Sequence, residues 1–372
     1  MIPQPARSTR FPHPAPRTPR LLRAAGALCA VALAGACSFE GSFSSGGGGC
    51  SGAVGTQGHA AFSFEQAPLQ DLSAAAGRAF AADTYSRFRI DDLTGGALAP
   101  YTVDSSDPAV LTVQADTNPD WPLRVKFNGA GTAALELRST RDGTVLDSLD
   151  LRVVEPAALE LTVGPSLSPQ LDGGGVSREP SRVVLARGAS CRLFVRATDA
   201  AGRTLFGSFS PTLRPAGLGL TVVPEGMGSL ELFGDGSYAL ARVTAPTAAG
   251  EAVLHVAGPN GLARELAVTV PDATALASLH LVFWPDDLSA VQSGEAALLV
   301  AVGRDADGAP AYGYPIEFST DDESVATVAS AADPDVSVVS FVAPGTARIL
   351  ARLQADPTIE TSISVSVLPS ES

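Results

Sequence analysis

The residues with the widest chemical repertoire in this sequence are four cysteines and four histidines. Cys29 and Cys37 lie near the amino terminus, Cys50 lies in a Gly/Ser stretch, and Cys191 lies in the strand-like segment SCRLFVRAT. No two of the cysteines have the Cys-x-x-Cys spacing that is typical of a zinc site. Because Cys191 shares a strand face with Leu193, we expect it to be a buried apolar residue. A disulfide between Cys50 and Cys191 stays open.

The histidines are far apart in the sequence, at His13, His59, His255 and His280. None has the His-x-x-x-His spacing of a metal site, and there is no Gly-x-Ser-x-Gly elbow or phosphate-binding glycine loop. His255 and His280 each lie between two apolar residues, which predicts positions on outer strand faces. The sequence therefore predicts no catalytic residue, no metal ligand and no cofactor.

Adjacent carboxylates occur at Asp91–Asp92, Asp286–Asp287 and Asp321–Asp322. Glycoside hydrolysis needs two carboxyl groups that face each other at roughly 5–9.5 Å, whereas neighbouring residues of a strand point to opposite faces. We therefore interpret these aspartates as turn caps or as solubilising surface residues. The segment DADG, Asp305–Gly308, is similar to the start of a calcium loop but lacks the later acidic ligands, so calcium at a domain joint stays open.

Three aromatic residues are candidates for a carbohydrate-stacking face: Trp121, Trp284 and Tyr314. Trp121 precedes a proline in NPDWPLRV, and Trp284 ends the strand-like run LHLVFW. Because the two tryptophans do not share one repeat, packing within the fold is the favoured interpretation.

The amino-terminal segment predicts a secretory signal. It combines a basic front with an uncharged stretch, Ala24–Ala36, that is too short to cross roughly 30 Å of hydrocarbon as a helix. The basic residues of the front are Arg7, Arg10, Arg17, Arg20 and Arg23.

The end of this signal, Leu33 to Cys37 with the sequence LAGAC, resembles the lipobox of bacterial lipoproteins. The resemblance implies cleavage before Cys37 and lipidation of its sulfur, and Ser38 then favours the outer membrane. Attachment through several acyl chains is stable because each buried CH₂ contributes about 0.8 kcal/mol. An ordinary cleavage site that happens to precede a cysteine is the alternative.

Residues 41–52 are almost all Gly and Ser and predict a flexible tether with a reach of roughly 20 Å. The rest of the chain has the composition of a folded protein, with 45% hydrophobic and 17% charged residues. The formal net charge of −14 argues against nucleic acid and anionic lipid surfaces as partners.

The body of the chain repeats. Similar turns containing Asp91, Asp199 and Asp305 follow strand-like runs at intervals of 108 and 106 residues. Each repeat closes with a segment in which every second residue is apolar, which is typical of a half-buried antiparallel strand. The closing segments are SLDLRVVEP (148–156), RELAVTVPD (264–272) and TSISVSVLP (361–369).

The segments VDSSDPAVLTVQ, FNGAGTAALELRST and SLDLRVVEP resemble bacterial immunoglobulin-like (Ig-like) domains of group 2, the invasin/intimin type. The third repeat has the same features, with Val325 in place of Val110 and Gly345 in place of Gly131. The middle repeat lacks the serine-aspartate turn and is similar to looser modules of the same kind. The resemblance implies an all-β fold of three tandem Ig-like β-sandwich domains, and it implies no particular ligand.

These observations divide the chain into the following segments: signal peptide 1–36, lipidated Cys37 with tether 37–54, and Ig-like domains 55–156, 157–271 and 272–369. Short joints near Pro156 and Pro271 predict a semi-rigid string of modules. We expect a non-enzymatic, lipid-anchored envelope protein that serves binding, adhesion or spacing and whose protein or glycan ligand is unknown. It would face the periplasm or the cell surface. A structural role in a secretion or polysaccharide-export assembly is the alternative, and a carbohydrate-active role is less favoured.

Overall fold

The computed structural model describes residues 53–65, 79–95, 99–165, 177–227, 238–273, 275–284, 291–331 and 333–370. All of them belong to one compact unit, Gly47–Ser372. These residues form 27 β-strands and one short 3-10 turn, Pro259–Gly261. Within the same residues, no helix has the length and apolar character that crossing a membrane requires. The predicted signal, Cys37 and most of the tether lie outside the described residues.

The strands fall into three successive sets of nine, which we call modules 1, 2 and 3. Module 1 contains β1 Ala53–Val54, β2 Ala60–Phe64, β3 Phe80–Ala81, β4 Thr84–Asp92, β5 Tyr101–Ser105, β6 Leu111–Ala115, β7 Leu123–Phe127, β8 Gly131–Ser139 and β9 Val145–Val154. One sheet has the order β1-β2-β4-β7-β6 and the other the order β3-β9-β8-β5.

Module 2 has the same arrangement except that its first strand, and not its second, pairs with its fourth. It contains β10 Ala158–Gly164, β11 Ser177–Arg178, β12 Arg182–Leu185, β13 Ser190–Thr198, β14 Thr212–Gly217, β15 Thr221–Met227, β16 Tyr238–Thr244, β17 Gly250–Ala257 and β18 Ala263–Val270. Its first sheet has the order β11-β10-β13-β16-β15, and its second sheet begins with β14-β17-β18-β12.

Module 3 also has two sheets, but its first strand, β19, pairs with its third, β21, and the short strand β22 pairs with β21 and with β12 of module 2. It contains β19 Ser278–Trp284, β20 Val291–Gln292, β21 Ala296–Arg304, β22 Pro310–Tyr312, β23 Ile316–Thr320, β24 Ala326–Ser330, β25 Val336–Phe341, β26 Gly345–Leu353 and β27 Asp356–Leu368. The sheet β20-β27-β26-β23 packs against the sheet built from β19, β21, β25 and β24. The predicted fold class, all-β with tandem Ig-like sandwiches, is confirmed. The residue limits of the three domains stay predictions.

Alternating apolar residues build the closing strand of each module, as the sequence predicts. In β18, Leu266, Val268 and Val270 are at most 1% exposed and lie in the module 2 core. In β9 and β27 the inward residues Val153 and Val367 are also buried. Since successive strand residues point to opposite faces, this period of two gives each closing strand one core face and one outer face.

The serine-aspartate turn and the glycine corner have the same geometry in modules 1 and 3. The carbonyl oxygen of Asp322 accepts hydrogen bonds from the backbone N–H groups of Val325 and Ala326, and Asp107 makes the equivalent bonds in module 1. At the corner, an added Cβ at Gly345 would lie 2.7 Å from Val325 Cγ2. A Cβ added at Gly131 would lie at the same distance from Val110 Cγ2, so the correspondence predicted for these residues is confirmed.

The repeated turn differs from the prediction in module 1 by one residue. Asp199 Oδ1 accepts hydrogen bonds from the N–H groups of Ala201 and Arg203, and Asp305 makes the same two bonds in module 3. In module 1, Asp92 and not Asp91 accepts the N–H group two residues later. Asp91 instead pairs with Arg89. The adjacent pair DD made the two residues indistinguishable in the sequence.

Replacing Gly345 by alanine should destabilise module 3, because the new methyl group would overlap Val325 and because Gly345 has φ of 156°. We expect the free energy of unfolding to fall by about 2–4 kcal/mol in urea titration. Gly308→Ala is the matched control, since Gly308 also has positive φ but has no atom within 4 Å of an added Cβ. Equal losses for the two variants would contradict the close contact at the corner.

Candidate functional site

Most of the described residues that the sequence analysis singled out lie where the sequence predicts. Cys191 is fully buried with a free thiol, and burial raises its pKa to about 12, which makes it inert. His255 and His280 are exposed on outer strand faces, and His255 Nδ1 lies 3.0 Å from Glu265 Oε1. Cys29, Cys37, Cys50, His13 and the pair Asp286–Asp287 lie outside the described residues.

The three aromatic residues considered for sugar stacking do not form one face. Trp121 is half-buried in module 1, whereas Tyr314 is 7% exposed in the module 3 core. Burial raises the pKa of the Tyr314 hydroxyl. The side chain of Trp284 lies outside the described residues. For Tyr314 the favoured interpretation, packing within the fold, is confirmed.

The feature that sequence reasoning missed is a pair of strands, β3 and β12, that are buried on both faces. In β12, Val183 and Leu185 belong to the module 2 core, while Val184 between them belongs to the module 3 core. In β3, Phe80 lies in the module 1 core and Ala81 in the module 2 core. Each of these strands is therefore shared by two successive hydrophobic cores.

Between modules 2 and 3 the two modules form one continuous sheet. Strand β12 pairs in parallel with β18 of its own module on one side and with β22 of module 3 on the other. Strand β22 ends with Tyr312, which is 1% exposed in the module 2 core and donates a hydrogen bond from its hydroxyl to the carbonyl oxygen of Val163 at 2.9 Å. The edge of the module 2 sheet is thereby covered by the next module.

Between modules 1 and 2 the same contact recurs with a phenylalanine. Phe206 of module 2 lies in the module 1 core, with its ring centroid 5.2 Å from that of Phe64. Its carbonyl oxygen accepts the N–H group of Ala81 at 2.8 Å, and Ser208 exchanges hydrogen bonds with Tyr85. Phe206 follows Asp199 by seven residues, as Tyr312 follows Asp305.

Glycines follow both inserted aromatic residues because the backbones approach closely there. An added Cβ at Gly207 would lie 2.0 Å from Thr84 Oγ1, and one at Gly313 would lie 2.2 Å from Ala189 Cβ. The joints are thus packed contacts between modules. Both predicted joints take part in these contacts: Pro156 is buried, and the carbonyl oxygen of Pro271 accepts a hydrogen bond from Arg187 Nε at 3.3 Å.

Charged side chains hold the rim of the second joint. The Arg182 guanidinium of module 2 binds both Asp305, which is nearly buried, and Asp307, which is exposed, in module 3. Arg187 likewise binds Asp272 at 2.6 Å. The carboxylates of the DADG segment are therefore occupied by arginine and by backbone N–H groups. Within the described residues, no group of three or more histidine, cysteine or carboxylate side chains could hold a metal ion.

A buried carboxylate, Asp335, lies at the same joint. It is 5% exposed, and its Oδ2 accepts the N–H group of Gly313 at 3.2 Å. Burial raises its pKa to about 6; the Gly313 hydrogen bond partly opposes this effect, and the nearby negative charge of Asp333 adds to it. The joint between modules 2 and 3 therefore contains a group that takes up a proton in mildly acidic solution.

Where module 1 begins, a second carboxylate fixes the first hairpin. Asp147 is fully buried in β9 and accepts the backbone N–H groups of Gln57, His59 and Ala60 at 2.7–2.8 Å. Burial alone would raise its pKa, but these bonds together with that of Ser148 hold it below the usual value. The segment that follows the predicted tether is therefore tied directly to the closing strand of module 1.

Comparison with known proteins gives similarities only among solved structures: no protein-family model matches the sequence, and no curated protein matches it. Domains 4–9 of the surface layer protein SbsC are 16% identical with a TM-score of 0.34, and the match covers 77% of this chain and 42% of that one. The Escherichia coli adhesin FdeC is 17% identical with a TM-score of 0.24, covering 83% and 97%. Invasin, described as a bacterial integrin-binding protein, is 14% identical with a TM-score of 0.23, covering 83% and 60%.

This chain thus spans less than half of the SbsC fragment that it matches. At these identities and TM-scores the three proteins assign no ligand or activity to this chain. Its function has to be argued from its own residues.

Replacing Tyr312 by alanine should open the joint between modules 2 and 3, because it removes a buried ring from the module 2 core. We expect a loss of about 3–5 kcal/mol in the free energy of unfolding and a separate, earlier transition in calorimetry. Tyr312→Phe keeps the ring and removes only the bond to Val163, so it should cost about 1 kcal/mol and leave the transitions together. Identical calorimetric profiles for the alanine variant and the parent would contradict a shared core.

The raised pKa of Asp335 predicts that its protonation stabilises the fold. Because the folded protein binds this proton more tightly than the unfolded chain does, stability is greatest below the unfolded pKa and falls as pH rises through the folded value near 6. Urea unfolding of the parent should therefore lose up to about 3 kcal/mol from this group between pH 4 and pH 7. Asp335→Asn should flatten that dependence, and an unchanged slope would exclude Asp335 as its source.

Proposed function

We propose that this chain is a lipid-anchored protein of the bacterial cell envelope that binds or spaces surface components and catalyses no reaction. In this proposal, lipid on Cys37 holds the protein in the outer membrane, residues 41–52 act as a tether, and the three Ig-like modules form a stiff support. The assignment to the group 2 Ig-like type is part of the proposal and rests on the sequence segments described above.

The observation that carries the proposal is the joint that occurs twice. Phe206 and Tyr312 each bury an aromatic side chain in the core of the preceding module, and each is followed by a glycine that permits close backbone contact. Independent modules on flexible linkers need no such contact, because each core is complete without it. Fixed joints maintain the distance and orientation between surfaces on different modules, which is what a spacer or a multi-site binding protein requires.

The attachment of module 1 supports the same function. A tether in the envelope transmits any pull to the first strands that follow it. Here, Asp147 ties the residues after β1 to β9 through its carboxylate, and the N–H group of Thr56 also donates to the carbonyl oxygen of Ser148 at 2.8 Å. Such a contact resists the separation of the first hairpin from the rest of its module.

The non-enzymatic part of the proposal rests on how the reactive side chains are used. The described carboxylates in turns cap backbone N–H groups or bind arginine, as at Asp199 and Asp305. The thiol of Cys191 is buried, and the described histidines are exposed and distant in sequence from one another. These arrangements stabilise turns and sheets. The hydroxyl Oγ of Ser324 donates to Asp322 Oδ1, and both side chains belong to the same turn.

Cys37→Ser tests the anchoring directly. Loss of the sulfur should prevent lipidation, so the protein should move from the detergent phase to the aqueous phase when cells are extracted with Triton X-114. Cys50→Ser is the matched control, because it removes a thiol from the tether and keeps the lipobox-like segment. Metabolic labelling with a palmitate analogue gives a second measurement on the same variants.

Retention of the Cys37→Ser variant in the detergent phase, with lipid label still present, would overturn the anchoring proposal. Equal loss of both variants from the membrane would assign the effect to the tether and would also overturn it.

A further inference from the structure

A basic surface lies on the outer face of the first sheet of module 1. Strand β4 presents Tyr85, Arg87 and Arg89 on this side, and the neighbouring strand β7 presents Arg124 and Lys126. We call these five residues the basic face. Arg89, Arg124 and Lys126 are exposed, and Tyr85 and Arg87 are half-buried. Such a face contrasts with a chain whose formal net charge is −14.

The pairing of β4 with β7 places like charges side by side. Arg87 lies directly opposite Arg124, and Tyr85 lies opposite Lys126. Like charges at directly opposite positions destabilise an antiparallel pair. Arg87 is neutralised by Glu65 and Asp116 at 3.1 and 3.0 Å.

Arg89 pairs with Asp91 at 3.1 Å, which leaves the two cations of β7, Arg124 and Lys126. Arg124 stacks on the ring of Tyr85, with its guanidinium carbon 3.9 Å from the ring centroid. Among the residues that the structure describes, no carboxylate pairs with Arg124 or Lys126. The stacked guanidinium keeps the N–H groups at its edge available for an incoming anion.

Module 2 has an equivalent pair of opposed arginines, but a carboxylate binds both of them. On the equivalent strands β13 and β16, Arg192 lies directly opposite Arg242. Both bind Glu225 of the edge strand β15, at 3.1 and 2.6 Å. In module 1, the edge strand β6 presents the neutral Gln114 opposite Arg124. The two modules thus differ at the second arginine of the pair: Arg242 binds a carboxylate, whereas Arg124 lies opposite an uncharged amide.

We propose that the basic face binds an acidic polysaccharide through the carboxylates of its sugar units. The inference deepens the proposed binding function and rests on it. The planar fork of an arginine side chain matches a carboxylate in two parallel hydrogen bonds, and Lys126 adds a point charge beside it. The ring of Trp121, half-buried at the end of the face with Arg89 5.7 Å from its centroid, offers an apolar surface to a sugar ring.

A carbohydrate fits this surface better than an acidic peptide does. Peptides that bind sheets add a strand to a free backbone edge. Strand β4 pairs with β2 and β7, and β7 pairs with β4 and β6, so the backbone beneath the basic face is already bonded on both sides. Recognition must therefore come from side chains spaced along the face, which suits a polymer that carries hydroxyl and carboxylate groups in every unit.

The test measures binding of the purified full-length protein to polygalacturonate by isothermal titration calorimetry. Methyl-esterified polygalacturonate serves as the uncharged match and poly-L-glutamate as the acidic polypeptide. We expect binding to polygalacturonate that weakens with added salt, and much weaker binding to the other two polymers. Because binding in solution does not depend on Cys37, this test can fail while membrane anchoring succeeds, and the reverse.

Two variants locate the site. The double variant Arg124→Ala/Lys126→Ala should weaken binding roughly tenfold or more, since it removes the two unpaired cations. Gln114→Glu removes no cation but supplies a carboxylate opposite Arg124, and it should weaken binding without loss of thermal stability. The control Arg141→Ala/Arg152→Ala removes the same charge from exposed positions elsewhere on module 1 and should bind normally.

Equal affinity for poly-L-glutamate would overturn the proposal in favour of an acidic polypeptide. No binding to polygalacturonate, or equal losses in the control and the basic-face variants, would exclude the basic face as a polysaccharide site.

Discussion

The structure depends on one constraint, which is that the first two cores are completed by an aromatic side chain from the next module. Phe206 occupies the core of module 1 and Tyr312 that of module 2. The shared strands follow from this: β3 and β12 can be buried on both faces because a second module covers the face that would otherwise meet water. The close-packed glycines and the Arg182 ion pairs are arranged around the same contact.

The packed joints limit how far the modules can move relative to one another. Hydrophobic burial at the joints is worth roughly 25 cal/mol per Å² and is lost only if a module turns away from its neighbour. Surfaces on different modules therefore keep a constant spacing. Two such surfaces are the basic face of module 1 and the ion pairs of Glu225 in module 2.

Much of the fold was predictable because single strands of these sandwiches follow local rules. Alternation in β9, β18 and β27, the burial of Cys191 and the corner at Gly345 were all visible in sequence. The joints were not, since the run Val183–Ala186 indicates burial on both faces but does not say which module covers each face. Tyr312 also carries no local signal of insertion into another core. The basic face was missed for a similar reason: Arg87 and Arg124 are 37 positions apart, and only the register places them side by side.

Native-state hydrogen exchange at the joint amides tests most directly whether shared strands lock the modules together. The N–H groups of Ala81 and Ala186 donate to the carbonyl oxygens of Phe206 and Tyr312 across the two joints, at 2.8 and 3.1 Å. Packed joints require that both exchange as slowly as amides in the central strands, such as that of Val195, because they open only when a core opens. Exchange as fast as in the exposed turn at Gly143 would contradict the packed joints and would mean that the modules separate while their cores stay closed.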